Sequence, residues 1–242
     1  MHREYHKWFS PVLQRDMELL TFGTQGASVL FFPTRTARFY DYEDWKMIEA
    51  IREKIDTGLV QVFCVDSIDY ESFYARHLHP QERIKRHIEY EHYIIDEVLP
   101  FIQSKNPYSF LISAGCSLGA YHAVNIAFKY PHLFGKTVGM SGRYDLTSST
   151  GHFNDLFDGY MNDDIYFNTP NRYIPNLSDP EILNRLKKME IIFAIGQEDP
   201  FLENNRELSN LLWDKGIWNA LHVWDGEAHK AKYWKRMVQN YI

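Results

Sequence analysis

The amino-acid sequence predicts an α/β fold in three layers, with one mostly parallel central sheet covered by helices on both faces. Short apolar runs alternate with stretches of helical periodicity along the whole chain. Runs such as 28–32 and 60–65 are apolar almost throughout, which is typical of strands buried on both faces. The chain has 242 residues, of which 45% are hydrophobic. This is enough for a single domain, 1–242, with a well-covered core.

The predicted elements begin with two short strands that pair antiparallel, and helices and strands then alternate. Strands are predicted over residues 5–10, 17–22, 28–32, 60–65, 110–112, 136–141, 191–195 and 221–224. Helices are predicted over 44–55, 80–102, 120–128 and 179–187, around Leu208, Leu211 and Leu212, and at the C terminus from Tyr233 to Tyr241. The apolar side chains of each helix recur every three or four residues, and Gly58 and Pro131 mark two of the helix ends.

Residues 144–176 interrupt this alternation. They are rich in Asn, Asp, Tyr, Phe and Pro and show little periodicity. A long insertion between a strand and the next helix lies at the edge of the sheet where ligands bind. We therefore expect 144–176 to form a cap-like insertion over a site at that edge.

The most informative motif is Gly115-Cys116-Ser117-Leu118-Gly119. An apolar strand leads into it and a helical pattern follows it, which is the context of a nucleophile elbow. The serine of such an elbow sits on a tight turn with its hydroxyl exposed, and a Cβ at either glycine would collide with neighbouring backbone. An ordinary glycine-rich turn in a strand-loop-helix unit is the alternative. Ser141 is a weaker candidate, because it lacks the second glycine at the required spacing.

A serine nucleophile needs a base within hydrogen-bond reach, and the base needs an acid that orients it. In elbow-containing hydrolases the chain order is Ser, then Asp or Glu, then His. Asp199 follows the strand 191–195, and His229 follows the last strand. Both loops lie at the same sheet edge as Ser117. Glu198 is the competing acid, and Asp199 is preferred because the following Pro200 suits a fixed loop.

The negative charge that develops on the substrate oxygen requires two N–H donors. The residue after the nucleophile supplies one, which is the backbone N–H of Leu118. The second is expected from the loop after the strand 28–32, at Arg35 or Thr36.

The charge of the chain indicates which partners to expect, and its cysteines indicate the cellular compartment. The net charge is −6, with acidic and basic residues mixed along the chain, so neither nucleic acid nor a membrane is an expected partner. Cys64 and Cys116 are predicted to be free thiols in a reducing cytoplasm, and the first residues lack the apolar run of a signal peptide. We therefore expect a cytoplasmic protein. Whether it forms a homo-oligomer is left open.

A helix near the middle of the chain carries His87, Glu91 and His92. Their spacing is not that of a His-Glu-x-x-His metal motif, and a solvated polar helix face is the commoner meaning of such a pattern. We expect no metal and no cofactor.

The chain resembles the putative-esterase family of α/β-hydrolases, the group that includes esterase D-like enzymes and bacterial mycolyltransferases. The resemblance runs nearly end to end and is carried by six segments. These are 32–34 with 38–40, Cys64-Val65-Asp66-Ser67, 115–123, 166–170, Gly196-Gln197-Glu198-Asp199 and 229–234. It implies an α/β-hydrolase fold with Ser117 as nucleophile, Asp199 as acid and His229 as base.

Two segments depart from the family pattern. The family often has glycines where Arg35-Thr36-Ala37 stand here, and often has Asp-Trp directly after the histidine, where this chain has Lys230-Ala231. The favoured function is a serine esterase that hydrolyses a small-molecule carboxylic ester through an acyl-enzyme. An acyltransferase to a sugar or other alcohol, and a catalytically inactive binding protein with this fold, remain alternatives.

Overall fold

The computed structural model describes residues 1–107 and 110–242. Within them, eight strands form one sheet in the order β1-β2-β4-β3-β5-β6-β7-β8. The strands are β1 Arg3–Ser10, β2 Arg15–Phe22, β3 Ala27–Phe32, β4 Val60–Val65, β5 Leu111–Cys116, β6 Lys136–Met140, β7 Glu190–Gly196 and β8 Ala220–Trp224. Strands β1 and β2 pair antiparallel, β2 also pairs antiparallel with β4, and every pairing from β4 to β8 is parallel. The predicted mostly parallel sheet is confirmed.

Helices cover both faces of this sheet. They are α1 Asp41–Asp44, α2 Met47–Ala50, α3 Arg52–Asp56, α4 Pro80–Tyr93, α5 Leu99–Lys105, α6 Leu118–Lys129, α7 Asp163–Tyr166, α8 Pro170–Tyr173, α9 Pro180–Leu186, α10 Leu202–Asp214 and α11 Ala231–Tyr241, with a 3₁₀ turn at Ile174–Asn176. Alternate residues of the strands enter opposite cores. Leu30 and Phe32 belong to the core that contains side chains of α4, α6 and α10, whereas Val29 and Phe31 belong to the core that contains side chains of α2, α3 and α11. This period-two division of the side chains produces the three predicted layers.

The helix predicted over 44–55 is wrong as a single element. The chain instead forms the three short helices α1, α2 and α3. Lys46 has a φ of 60°, in the left-handed region, and Ile51 has a φ of −111°. Neither conformation continues an α-helix. The apolar spacing still holds, because Ile48, Ile51 and Ile55 are all buried.

The long helix predicted over 80–102 is present with a local change of pitch. Helix α4 runs into a π-helical turn at Ile94–Val98, and α5 follows directly. Pro100, in the first turn of α5, has no N–H and its ring crowds the carbonyl one turn earlier. A wider turn before the proline accommodates both effects.

His87 and Glu91 do not form the solvated helix face that the sequence suggested. Both side chains are buried, whereas Glu89 and His92 on the same stretch are exposed. Glu91 accepts hydrogen bonds from Asn125 Nδ2, at 2.9 Å, and from Lys129 Nζ. The prediction fails because the segment after β6 packs onto α4 from outside, where Arg83 donates to the carbonyl of Leu156. This covers the face that would otherwise contact water.

No group of three or more His, Cys, Asp and Glu side chains within the described residues is arranged to hold a metal ion. Among the same residues, no helix combines the length and apolarity needed to cross a membrane. Cys64 and Cys116 are free and buried, and burial raises the pKa of both thiols.

Replacing Glu91 by Gln is expected to lower the free energy of unfolding at neutral pH by about 3 kcal/mol, because Lys129 would lose its buried carboxylate partner. Burial alone would raise the pKa of Glu91, but the contacts with His87 and Lys129 lower it to about 2. The unfolded value is about 4.3. The ionised carboxylate therefore stabilises the fold above about pH 4.3, and this contribution is lost as the pH falls towards 2.

Urea unfolding of wild type and Glu91→Gln, at neutral pH and through that acidic window, measures both effects. The variant should show a flatter loss of stability with acid. Glu89→Gln is the matched control, because Glu89 lies on the same helix with its side chain 49% exposed. Equal stability of the two variants at neutral pH would contradict the prediction.

Candidate active site

The turn after β5 has the strained backbone of a nucleophile elbow. Ser117 adopts φ 56° and ψ −120°, between the end of β5 and the start of α6. The two glycines of the elbow, Gly115 and Gly119, are required because neighbouring backbone lies very close to both. A Cβ on Gly115 would lie 2.2 Å from the carbonyl oxygen of Gly119, and a Cβ on Gly119 would lie 2.2 Å from that of Phe32. Only glycine permits this crossing of β3, β5 and α6, which holds the Ser117 hydroxyl at the carboxyl edge of the sheet.

A buried tyrosine supports the elbow from below. The Tyr42 hydroxyl donates to the carbonyl of Phe32, at 2.6 Å, and accepts from the backbone N–H of Cys116, at 2.9 Å. It therefore ties the ends of β3 and β5 together directly beneath Ser117. No sequence motif marked Tyr42, because its role depends on packing between separate elements.

The structure brings together the three side chains predicted from the sequence. His229 Nε2 lies 3.0 Å from Ser117 Oγ, and His229 Nδ1 lies 2.7 Å from Asp199 Oδ2. The Asp199 carboxylate is fully enclosed, and its other oxygen accepts from the backbone N–H of Phe201 at 2.9 Å. The carboxylate thus requires a hydrogen on Nδ1, which leaves Nε2 free to accept a proton from the serine.

Glu198, the competing acid, points elsewhere. Its side chain is exposed, whereas Asp199 is buried. The backbone N–H of Glu198 donates to the carbonyl of Gly226 at 3.0 Å. That bond fixes the loop between β7 and α10 against the loop that carries His229.

Ser141 is placed near the site in a supporting position. It is fully buried, and its hydroxyl donates to the carbonyl of Ala228 at 3.2 Å and accepts from Trp234 Nε1 at 3.0 Å. Ala228 directly precedes His229 and has a φ of 52°. The Trp234 ring stands at 62° to the imidazole, with the ring centroids 5.6 Å apart. Ser141 and Trp234 therefore hold the histidine loop in place.

The loop after β3 contains Arg35 and Thr36, the two candidates for the second oxyanion donor. The Thr36 N–H donates to Asp69 Oδ2 at 2.7 Å, so it is committed within the protein. Of the two candidates, Arg35 is thus the one whose N–H is left for a substrate. Thr36 has a φ of 54°, a conformation that glycine adopts most readily. A glycine, which the family pattern often has in this loop, would suit this conformation, and Thr36 adopts it here.

Further bonds fix this loop against the end of β4. Arg38 Nε donates to Asp66 Oδ1 at 2.8 Å, and Ser67 Oγ donates to the carbonyl of Ala37 at 2.8 Å. Burial raises the pKa of Asp66, and the Arg38 guanidinium opposes that shift. The residues of the sequence segment Asp66-Ser67-Ile68-Asp69 therefore position the loop that faces Ser117.

A cavity of about 240 Å³ opens over Ser117 and His229. Its polar wall also contains Thr34, Arg35, Tyr74 and Arg143, and its apolar wall contains Leu118, Phe153, Leu156, Phe201 and Trp234. Burial raises the pKa of the Tyr74 phenol, with Arg35 opposing, so that phenol remains a hydrogen-bond donor at neutral pH. The volume lies just below the range of about 300–1,000 Å³ usual for drug-sized ligands, and it suits a small substrate.

The sheet order and the strand-serine-helix elbow define an α/β-hydrolase fold. Residues 35–240 match the family model described as "Putative esterase", and the chain belongs to this family of ester hydrolases. A comparison with curated protein sequences finds no match.

Solved structures show the same architecture. A ferulic acid esterase superposes with a TM-score of 0.78 at 15% identity, covering 99% of this chain and 95% of the other. FphF, a fluorophosphonate-binding serine hydrolase of Staphylococcus aureus, gives 0.71 at 15% identity, covering 99% and 96%. MPT51 of Mycobacterium tuberculosis gives 0.69 at 14% identity, covering 98% and 96%. At these identities the likeness is one of fold.

Proposed function

We propose that this chain is a serine carboxylic-ester hydrolase in which Ser117, His229 and Asp199 act as a catalytic triad. One observation carries the proposal. A single imidazole bridges Ser117 Oγ, at 3.0 Å, and a buried carboxylate, at 2.7 Å. Family membership supplies the reaction class, and the cavity places the serine and the imidazole against the same small volume.

In the proposed mechanism, Ser117 Oγ attacks the ester carbonyl carbon while His229 Nε2 takes the hydroxyl proton. The carbonyl oxygen becomes an oxyanion, which the N–H groups of Leu118 and Arg35 stabilise. Leu118 begins α6, so its N–H has no partner within the helix. One such donor is typically worth about 3 kcal/mol of barrier. The protonated imidazole then gives its proton to the leaving alcohol, and a covalent acyl-serine remains.

The second half of the reaction repeats these steps with water. His229 Nε2 removes a proton from water, whose oxygen attacks the acyl carbon, and Ser117 leaves with that proton. No cofactor takes part. Residues 144–176 act as the cap in this proposal, because Phe153 and Leu156 from this segment line the cavity directly over the serine.

The inactive alternative rests on Lys230-Ala231 after the histidine. Lys230 is exposed and pairs with Glu227 at 3.3 Å, and His229 still contacts both Ser117 and Asp199. The geometry therefore favours an active enzyme. Acyl transfer uses the same acyl-serine, with an alcohol replacing water. Product analysis in the presence of added glycerol or glucose distinguishes transfer from hydrolysis.

A fluorophosphonate probe tests the proposal directly, since it reacts with serines activated by a base. We expect rapid adduct formation, and peptide mapping should locate the adduct on Ser117 and leave Ser141 unmodified. Denatured protein is the control and should not react. Failure of the folded protein to form the adduct would contradict the proposed triad and favour the inactive alternative.

A further inference from the structure

The active-site cavity contains an unusual share of unpaired positive charge. Three arginines of the described chain have no carboxylate oxygen within 4.0 Å, namely Arg35, Arg143 and Arg236; the other arginines form ion pairs. Two of these three, Arg35 and Arg143, line the cavity that contains Ser117. The protein as a whole has a net charge of −6. A general excess of basic residues therefore does not explain the two guanidinium groups.

Arg143 is the more informative of the two because it is only 6% exposed. Its Nη2 donates to the carbonyls of Ser148, at 2.7 Å, and Asn154, at 2.8 Å, and its Nε lies 3.4 Å from the carbonyl of Asp145. These bonds fix the guanidinium without neutralising it. Its Nη1 donates to no atom of the described residues and is not enclosed by them. That nitrogen is the edge of the guanidinium left for a ligand in the cavity.

The carboxylates nearest to Arg143 are engaged elsewhere. Asp145 pairs with Arg172 at 3.2 Å and accepts from Thr147. Asp155 accepts from the backbone N–H groups of Phe157 and Gly159. Burial lowers the pKa of Arg143, which reflects the cost of holding this charge away from water, although an arginine stays protonated at neutral pH.

The Phe201 ring lies close to both Arg143 and His229. Its guanidinium carbon lies 5.5 Å from the centre of the Phe201 ring, whose centroid is 6.2 Å from that of His229. At the rim, the exposed Arg35 lies 5.8 Å from the centre of the Tyr74 ring. The cavity thus places a buried and an exposed guanidinium on the walls that surround the serine. A buried guanidinium that is held in place binds a carboxylate or phosphate more strongly than it binds a neutral ligand.

We propose that the substrate is a small ester that carries an anionic group, and that Arg143 binds this group with Arg35 assisting at the rim. This inference rests on the proposed esterase function of the same site. The shared chemistry is a carboxylate or similar anion, on either the acyl or the alcohol part of the ester. The cavity volume of about 240 Å³ limits the remainder of the substrate to a few carbon atoms.

Two matched pairs of esters test the proposal in a pH-stat. Monomethyl succinate against dimethyl succinate places the charge on the acyl part, and O-acetylglycolate against ethyl acetate places it on the alcohol part. In at least one pair, we expect kcat/KM for the charged ester to exceed that for the neutral one by at least about tenfold. Arg143→Met should remove most of this preference, and Arg143→Lys should retain part of it. Arg236→Met is the matched control, since Arg236 also lacks a carboxylate partner but lies over Trp224, at 5.2 Å, and does not line the cavity.

Arg143 also holds the loop 144–154, so its replacement is expected to lower kcat/KM for every ester. The decisive quantity is therefore the ratio of kcat/KM for the charged ester to kcat/KM for the neutral one. Two outcomes overturn the anion site and leave the esterase function standing. In the first, neutral esters are hydrolysed and neither pair shows a preference for the charged member. In the second, Arg143→Met lowers kcat/KM equally for both members of a pair. Calorimetric titration of Ser117→Ala with monomethyl and dimethyl succinate gives a readout that needs no turnover. O-acetylglycolate and ethyl acetate are titrated in the same way. If neither charged ester binds more tightly than its neutral partner, the inference is overturned even if no ester is turned over.

Discussion

Replacing Ser117 by Ala is expected to lower kcat for p-nitrophenyl acetate by about 10⁶-fold, the loss that follows removal of a serine nucleophile from a comparable triad. The alanine variant keeps the binding cavity and the oxyanion donors but cannot form the acyl-enzyme. A small residual rate above that of water is therefore expected, arising from Leu118 N–H and from binding alone. Steady-state kinetics, with the p-nitrophenolate released measured by absorbance, give the ratio.

Ser104→Ala is the matched control for this substitution. Ser104 lies on α5, and its hydroxyl only donates to the carbonyl of Phe101, at 2.7 Å, in an exposed position. This variant should keep the wild-type kcat. Circular dichroism of both variants checks that each is folded. Equal turnover by wild type and a folded Ser117→Ala protein would show that another group performs the chemistry.

The three residues at the centre of the site could be predicted from the sequence because each follows a strand. Parallel strands end at one edge of the sheet, so the position of a residue directly after a strand already fixes which edge it occupies. Ser117 follows β5, Asp199 follows β7 and His229 follows β8. Their mutual contacts need only short loops of defined length, and this information is local in the sequence.

Other parts of the site could not be predicted, because they depend on packing between distant elements. The bond between the Tyr42 hydroxyl and Cys116 joins residues 74 positions apart, and the bond between Trp234 and Ser141 joins residues 93 apart. Arg143 follows β6 and so was at the right edge, but its significance appears only when the neighbouring carboxylates are found to be engaged elsewhere. The sequence does not show that an arginine lacks a carboxylate partner, because ion pairs form between residues that are distant along the chain.

Two predictions about helices were wrong, each for a different physical reason. The spacing of Ile48, Ile51 and Ile55 correctly predicted which side chains are buried, but periodicity is insensitive to a single left-handed residue such as Lys46. On α4, His87 and Glu91 are polar and so suggested solvent. The insertion after β6 covers them, and Asn125 and Lys129 supply the partners that a buried carboxylate requires.

Replacing Asp199 by Asn is expected to lower kcat by about 10⁴-fold with little change in structure. The reason is the direction of one hydrogen bond. Asp199 Oδ1 accepts from the Phe201 N–H, so an asparagine is held with its carbonyl oxygen on that side and its NH₂ group towards His229. An NH₂ donor opposite Nδ1 makes Nδ1 the acceptor and moves the imidazole hydrogen to Nε2. With that nitrogen protonated, His229 cannot take the proton from Ser117 at 3.0 Å.

Glu198→Gln provides the matched control, because it makes the same change of carboxylate to amide one residue earlier, on an exposed side chain. It should keep kcat within about twofold of wild type, because the side chains that His229 contacts are those of Ser117 and Asp199 and a surface substitution usually changes stability by less than about 0.5 kcal/mol. Comparing the two variants therefore assigns the acid of the triad. A loss in Glu198→Gln as large as that in Asp199→Asn would mean that loop integrity, and not the orientation of the imidazole, controls the rate. If Asp199→Asn alone is impaired while its fluorophosphonate labelling slows in proportion to kcat, the buried carboxylate acts through the basicity and tautomer of His229, since the labelling step requires the same proton transfer.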